Sequence, residues 1–216
     1  MGGTNMAKGA MIAAMDFTNV DAGEFNDWYD TEHLPERARI PGFLTAQRWI
    51  GVENPRLSLA TYDLETVAVL QGPGYSAIGR ENASPWSKRV TSKVTRILRY
   101  EGNQTLPGDA VGPSDAGGIL LVGMTPSAEQ DAAFNHWYDQ EHVPALAAVP
   151  GVLSARRFVS AGPNSTKYVA LYHLTEPGIP ETAAWKKASG DTPMPQHVRD
   201  TITGRLRLVC QAYRRG

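Results

Sequence analysis

Cysteine is almost missing from this chain of 216 residues: Cys210 stands alone. An internal disulfide is therefore excluded, and so is a zinc cage built on thiolates. Cys210 ends the alternating run Leu206-Arg207-Leu208-Val209-Cys210, which reads as a buried small hydrophobe on a strand rather than a nucleophile. Neither sign of charge is in surplus. Lys+Arg is 21 and Asp+Glu is 22, a formal net charge of −1, so little is available to neutralise a phosphate backbone and nucleic acid is not an expected partner. No apolar run approaches the roughly 20 residues of a membrane span. The opening residues lack the apolar core of a signal peptide, and Met6 reads as a second candidate start. The expectation is a cytoplasmic protein with no membrane partner. Gln71-Gly72-Pro73-Gly74 reads as a turn and not as a phosphate loop between strand and helix, and no Gly-x-Ser-x-Gly elbow occurs.

What is present is a repeat. Phe25-Asn26-Asp27-Trp28-Tyr29-Asp30-Thr31-Glu32-His33-Leu34-Pro35 returns as Phe134-Asn135-His136-Trp137-Tyr138-Asp139-Gln140-Glu141-His142-Val143-Pro144. Between 25–52 and 134–161, 14 of 28 positions are identical without a gap, which marks duplication. Hydrophobic residues make up 42% and charged residues 20%, enough apolar material for a buried core in each unit. The expected organisation is a first unit over 8–101, a Gly- and Pro-rich linker over 102–116 and a second unit over 117–213.

Each unit reads as β-α-β-β-α-β. Strands are expected at 8–17, 43–52, 57–65 and 93–101, and again at 117–125, 152–161, 167–175 and 204–213. First helices fit 21–39 and 127–148, with Asp21 and Ser127 as N-caps. Pro41-Gly42 and Pro150-Gly151 stop them, the glycines offering the positive φ of a sharp reversal. Weaker second helices fit 66–80 and 179–189. A sheet with helices on one face leaves the other bare, so two ferredoxin-like units are expected to pack their sheets face to face in an α+β arrangement.

The repeated helix carries the candidate chemistry. Residues three and four apart share a helix face, so Phe25, Trp28 and Glu32 form one stripe, with Asn26, Tyr29 and His33 on the next. The copy gives Phe134, Trp137, Glu141 and Asn135, Tyr138, His142. Phe25, Trp28 and their counterparts read as core that packs the helix onto its sheet, with ligand contact as the competing reading. A fold does not require the same polar side chains twice, so His33, His142, Tyr29, Tyr138, Glu32 and Glu141 are the catalytic candidates. An imidazole titrates near neutral pH and can take or give a proton there. Asn26, Asn135, Arg48, Arg157, Tyr62, Tyr172 and His173 are the substrate-binding candidates, the arginines because a fixed cation can hold a carboxylate or enolate oxygen. For each strand residue a plain packing role competes. Trp86 and Trp185 read as packing or as cavity lining, and His136 and His197 as surface. Glu32 and His33 are adjacent and diverge by about 100° on a helix, a poor two-ligand grip, so no metal site is expected.

The pattern Trp-Tyr-x-x-Glu-His-x-Pro followed by Pro-Gly, present in both halves, resembles the EthD-like branch of the dimeric α+β barrel superfamily. Members of that superfamily are usually single ferredoxin-like units paired across a dimer into a barrel, so the tandem chain resembles such a dimer fused into one, a pseudo-dimeric α+β barrel, with a further homodimer left open. The resemblance implies a pocket between helix and sheet reached by His33 or His142. Relatives include isomerases, cyclases, dehydratases or lyases, cofactor-free monooxygenases and haem-binding enzymes. The expected function is a cofactor-independent enzyme acting on a small aromatic or polyketide-like carbonyl compound by histidine-mediated proton transfer, as an isomerase, cyclase or lyase. The alternatives are a cofactor-free monooxygenase of a phenol and a non-catalytic ligand-binding or stress protein.

Overall fold

The structure is a computed structural model that describes residues 7–162 and 166–215. The opening residues 1–6, including Met6, lie outside the described residues. The first half contributes strands β1 (Gly9–Asp16), β2 (Gln47–Gly51), β3 (Leu57–Leu64) and β4 (Thr95–Leu106). The second contributes β5 (Gly118–Thr125), β6 (Val152–Ser160), β7 (Tyr168–Leu174) and β8 (Thr203–Ala212). All pairings are antiparallel, and the strands close on themselves in the order β1-β3-β2-β8-β5-β7-β6-β4.

This closure corrects the expectation of two ferredoxin-like repeats with sheets packed face to face. There is one closed eight-stranded barrel with the helices outside it. The physical reason is the edge strands. A half on its own would leave β2 and β4 with open hydrogen-bonding edges, and pairing β2 with β8 and β4 with β6 removes them. Strand β4 does this by running on through Gly102–Leu106, residues expected in the linker, to meet Arg157–Ser160.

Period-two alternation sorts the strand side chains. Ile12, Leu59, Tyr100, Leu121, Phe158, Leu171 and Cys210 turn inward and fill the barrel. The opposite faces carry Met11, Ala60, Tyr62 and Leu64 in the first half, and Leu120, Ala170, Tyr172 and Leu174 in the second, under helices. Strands β3 and β7 are buried at every position because they have barrel core on one side and helix on the other. Cys210 is a free, fully buried thiol, as its alternating setting implies.

Helix α1 (Ala22–Trp28) continues through a π-helical turn (Tyr29–His33) into α2 (Leu34–Ala38). The second half repeats this as α5 (Asp131–Trp137), a π-helical turn (Tyr138–His142) and α6 (Val143–Ala147). Asp21 caps α1 by accepting from the Glu24 amide at 3.0 Å. Ser127 makes no such bond and precedes a 3-10 turn instead. Gly42 and Gly151 both sit at φ 92°, the left-handed conformation the reversal needs.

The second helices differ between the halves. The expected 66–80 helix does not form. Gly72-Pro73-Gly74 breaks it into a 3-10 turn (Val67–Gln71) and the short α3 (Pro73–Ser76), and α4 (Pro85–Thr91) follows later. The second half has no such break and forms α7 (Ala183–Asp191), followed by α8 (Gln196–Arg199).

Candidate functional site

The π-helical turn fixes the repeated aromatic and imidazole groups. At its end the Leu34 amide donates five residues back to the Tyr29 carbonyl, widening the helix where His33 sits. The His33 ring packs on Trp28 at 4.2 Å and on Tyr29 at 4.9 Å between centroids. In the copy, His142 packs on Trp137 at 4.5 Å and on Tyr138 at 5.4 Å.

From this shared geometry the halves part. In the first, a cavity of about 1020 Å³ opens between the outer face of β1, β3 and β4 and the broken stretch from Leu70 to Thr91. His33, Arg37 and Tyr62 line it, with Met11, Tyr75 and Arg99 around them. The volume follows from the Gly72-Pro73-Gly74 break, which keeps a packed helix from lying there. In the second half the unbroken α7 sets Trp185 edge-on against Tyr172 at 5.3 Å, and Trp185, Met194 and Val198 join one packed cluster. There His142 Nδ1 meets Thr192 Oγ1 at 3.0 Å.

Electrostatics follow from burial. His33 is 8% exposed and its Nδ1 has no hydrogen-bond partner among the described residues. Burial, then the charges of Arg37, Arg48 and Arg99, hold it well below the ordinary imidazole range. It is a neutral imidazole at pH 7. Burial also lowers His142, to about 4. The Tyr62 phenol is buried without a well-formed hydrogen bond, and burial pushes it well above the usual phenol range, so it keeps its proton and can donate it in a hydrogen bond. Tyr29 shares this state behind Tyr62 but does not line the cavity.

The remaining expected residues take other positions. Arg48 reaches from β2 to helix α1, with Nη2 donating to Asn26 Oδ1 at 2.6 Å, Nη1 to Asp30 Oδ1 at 3.2 Å and Nε to Ser58 Oγ at 3.2 Å. Its guanidinium lies over the Tyr29 ring at 4.5 Å and over Tyr213 at 3.9 Å. Arg157 repeats this with Asn135, at 3.0 Å, and Asp139, over Tyr138 at 4.3 Å. These side chains tie helix to sheet, and Arg48, Arg157, Asn26 and Asn135 stand apart from the large cavity. Glu32 Oε1 accepts from Ser84 Oγ at 2.5 Å and Ser87 Oγ at 2.9 Å, while Trp28 Nε1 also donates to Ser87 Oγ, at 2.9 Å. Glu32 thus fastens α4 beside the cavity, whereas Glu141 is exposed. Tyr138 and Tyr172 are buried in the packed half.

His173 faces the barrel interior. It is fully buried, edge-on to Trp49 at 5.6 Å, with neither ring nitrogen hydrogen-bonded among the described residues. Burial, then Arg156, lowers it to about 3. Beside it Arg156 Nη1 meets Asp63 Oδ1 at 2.6 Å, and Asp63 Oδ2 accepts from the Gly112 amide at 2.8 Å. Sequence reasoning did not single out Arg37, Tyr75, Arg99 or Arg156. For Arg37 a signal was present: the repeat aligns it with Leu146, so a charge stands where its copy is apolar.

Among the described residues no group of three or more His, Cys, Asp or Glu side chains could hold a metal ion. Haem ligation by the cavity imidazole is also poorly supported. A metal-bound histidine usually donates its second ring nitrogen to an acceptor that orients it, and Nδ1 of His33 has none among the described residues. No helix among the described residues is long and apolar enough to cross a membrane.

No family model matches the sequence. No curated protein matches it either. Solved structures do match in shape. A provisionally assigned monooxygenase from Fusobacterium nucleatum superposes with a TM-score of 0.62 at 10% identity, over 96% of this chain and 93% of its own. A variant chlorite dismutase from Candidatus Nitrospira defluvii gives 0.63 at 13% identity, over 98% and 93%. An anthrone oxidase-like protein gives 0.63 at 14% identity, over 95% and 92%. At such identities the likeness establishes the shared fold alone, and not the reaction.

Proposed function

We propose that this chain is a small-molecule enzyme whose working site is the first-half cavity, with His33 as proton acceptor. The observation that carries the reading is a neutral, buried imidazole lining a cavity of about 1020 Å³ beside a phenol that keeps its proton. A substrate of the expected class, an aromatic or polyketide-like carbonyl compound, has an acidic C–H next to its carbonyl. His33 removes that proton and becomes an imidazolium. The electron pair moves to the carbonyl oxygen, which accepts a hydrogen bond from Tyr62. Return of the proton to another atom gives isomerisation, and loss of a leaving group gives a lyase step. The chemistry needs no cofactor. Tyr29 backs Tyr62, and Glu32 holds α4 at the cavity wall. The second half (117–213), with His142 and Tyr138, serves as scaffold for the first (8–101), and the two derive from one EthD-like ancestral unit.

A second reading starts from the same anion. Two of the similar structures, named as a monooxygenase and as an anthrone oxidase-like protein, support an oxygenase, in which the anion reacts with dioxygen: a methylene becomes a carbonyl, one O₂ is consumed and one water is released.

Deuterium exchange tests the shared first step. In D₂O the protein should accelerate loss of the methylene proton signals of 2-tetralone or anthrone, followed by NMR. His33→Ala should lower that rate by about 10²–10⁴-fold with folding intact. An oxygen electrode then separates the two outcomes. Binding without exchange would instead indicate a ligand-binding protein.

A further inference from the structure

Arg37 poses an electrostatic problem that the proton-transfer scheme leaves unsolved. Its side chain is 10% exposed, and its nearest ion-pair partner among the described residues is Glu36, at 3.9 Å. Nη1 donates to the His33 carbonyl at 2.8 Å, which anchors the side chain without neutralising it. A guanidinium this deeply buried, lacking a close carboxylate, is costly unless something anionic meets it. Arg37 lines the cavity. Across from its helix, Arg99 on β4 also lines it, braced by Glu101 at 2.7 Å and by the Tyr75 hydroxyl at 3.0 Å. The second half removes both the space and the charge: Leu146 stands in the place of Arg37 and is buried in the packed cluster. Cavity and cation occur together or not at all.

We propose that the first-half cavity binds a substrate carrying a carboxylate, and that Arg37 is the residue that receives it. The inference rests on the reading of this cavity as the active site. Lining cations Arg37, Lys88, Arg96 and Arg99 face lining acids Glu81 and Glu101, an excess of two positive charges that suits a monoanion. Met11, Leu70, Tyr62 and Tyr75 supply apolar and aromatic surface for a flat ring system. Arg37 lies one helical turn beyond His33, so a carboxylate on Arg37 presents neighbouring ring atoms to the imidazole. A planar guanidinium forks onto the two carboxylate oxygens, which a neutral amide cannot match.

Two fluorescent probes of the same shape test this on the whole chain: anthracene-2-carboxylate and anthracene-2-carboxamide. The carboxylate should bind at least about tenfold more tightly, the difference shrinking with added salt. Arg37→Leu, which installs the residue the second half tolerates at this place, should abolish that preference while amide binding stays the same. Arg37→Lys should restore part of it. Equal affinity of the two probes for the wild-type protein, or an unchanged preference in Arg37→Leu, overturns the proposal. The active-site reading fails separately: if His33→Ala leaves proton exchange unchanged while the carboxylate preference persists, the anion site stands and the base is elsewhere.

Discussion

Arg48 and Asn26 are joined across the helix–sheet interface, Nη2 to Oδ1 at 2.6 Å, and Arg157 and Asn135 repeat the join at 3.0 Å. Asp30 and Asp139 complete each clamp, one helical turn beyond the asparagine. The clamp accounts for the duplicated Asn, Asp and Arg without any ligand. Both guanidiniums are almost fully buried, at 2% and 1% side-chain exposure, so their partners are obligatory.

Removing one side of a clamp should therefore unfold the protein more readily. In Arg48→Ala Asn26 loses its cation, Asp30 keeps only Arg215 as a cation among the described residues, at 3.5 Å, and the rings of Phe25, Tyr29 and Tyr213 lose the guanidinium above them. The expected loss is about 2–3 kcal/mol, discounted from fully buried pairs because Asp30 is partly exposed. Urea unfolding measures it. Arg157→Ala should cost a similar amount, and a loss within about 0.5 kcal/mol of zero for both would show the clamps to be incidental.

The two histidines should differ in catalysis despite their matching helices. His33→Ala is expected to remove proton exchange and turnover, whereas His142→Ala should leave kcat near the wild-type value. The reason is that Trp185 packs edge-on against Tyr172 where the first half has its cavity, while His142 is tied to Thr192. Equal losses from both substitutions would mean that the second half also admits substrate.

Stability should fall on mild acidification. His142 is lowered to about 4 and His173 to about 3, and His33 is lowered too, each chiefly by burial. The unfolded chain takes up these protons near pH 6.5 and the folded chain does not. The unfolded state thus binds more protons below pH 6.5, and the stabilisation present above that value drains away as pH falls towards 4 and then 3. Each histidine contributes up to about 1.4 kcal/mol per pH unit in its window. Urea midpoints at pH 7 and pH 5 measure the slope, and His142→Gln should flatten it. Activity should behave differently: with His33 already neutral, kcat/KM should stay level as pH drops through 6.5.

Gly42 and Gly151 should not tolerate a side chain. Both have φ 92°, and a Cβ on Gly42 would lie 2.6 Å from Val69 Cγ2, while one on Gly151 would meet Ile179. Gly42→Ala should cost about 1 kcal/mol or more from backbone strain alone. A melting temperature unchanged by Gly42→Ala would argue against the turn geometry described here.

Local features were legible from the sequence because they depend on neighbours in the chain. The Asp21 cap, the Pro-Gly reversals and the strand alternation that buries Cys210 are of this kind. The pairings that close the strands into one continuous barrel were not legible, since β2 finding β8 and β4 finding β6 has no local signature. The duplicated motif pointed at His33 and equally at His142. What separates them is the Gly72-Pro73-Gly74 break some forty residues later and the Arg37/Leu146 difference, neither of which stands out when only the shared residues are read. Of the duplicated polar residues, Asn, Asp and Arg mark the clamps.

The seam between β2 and β8 has a kinetic consequence. It consists of three paired positions, Trp49 with Ala212, Ile50 with Gln211 and Gly51 with Cys210. Its two strands are separated by most of the chain, so closure carries a large loop entropy and only a few hydrogen bonds to offset it. Contacts of such long range form late and slow the search for the native state. On the ribosome, the barrel cannot shut until β8 has emerged, and until then β2 and β5 each present an unpaired edge. The same seam is where the finished barrel should breathe first, so amide exchange at Ile50 and Gln211 is expected to run ahead of exchange in the β1–β3 ladder.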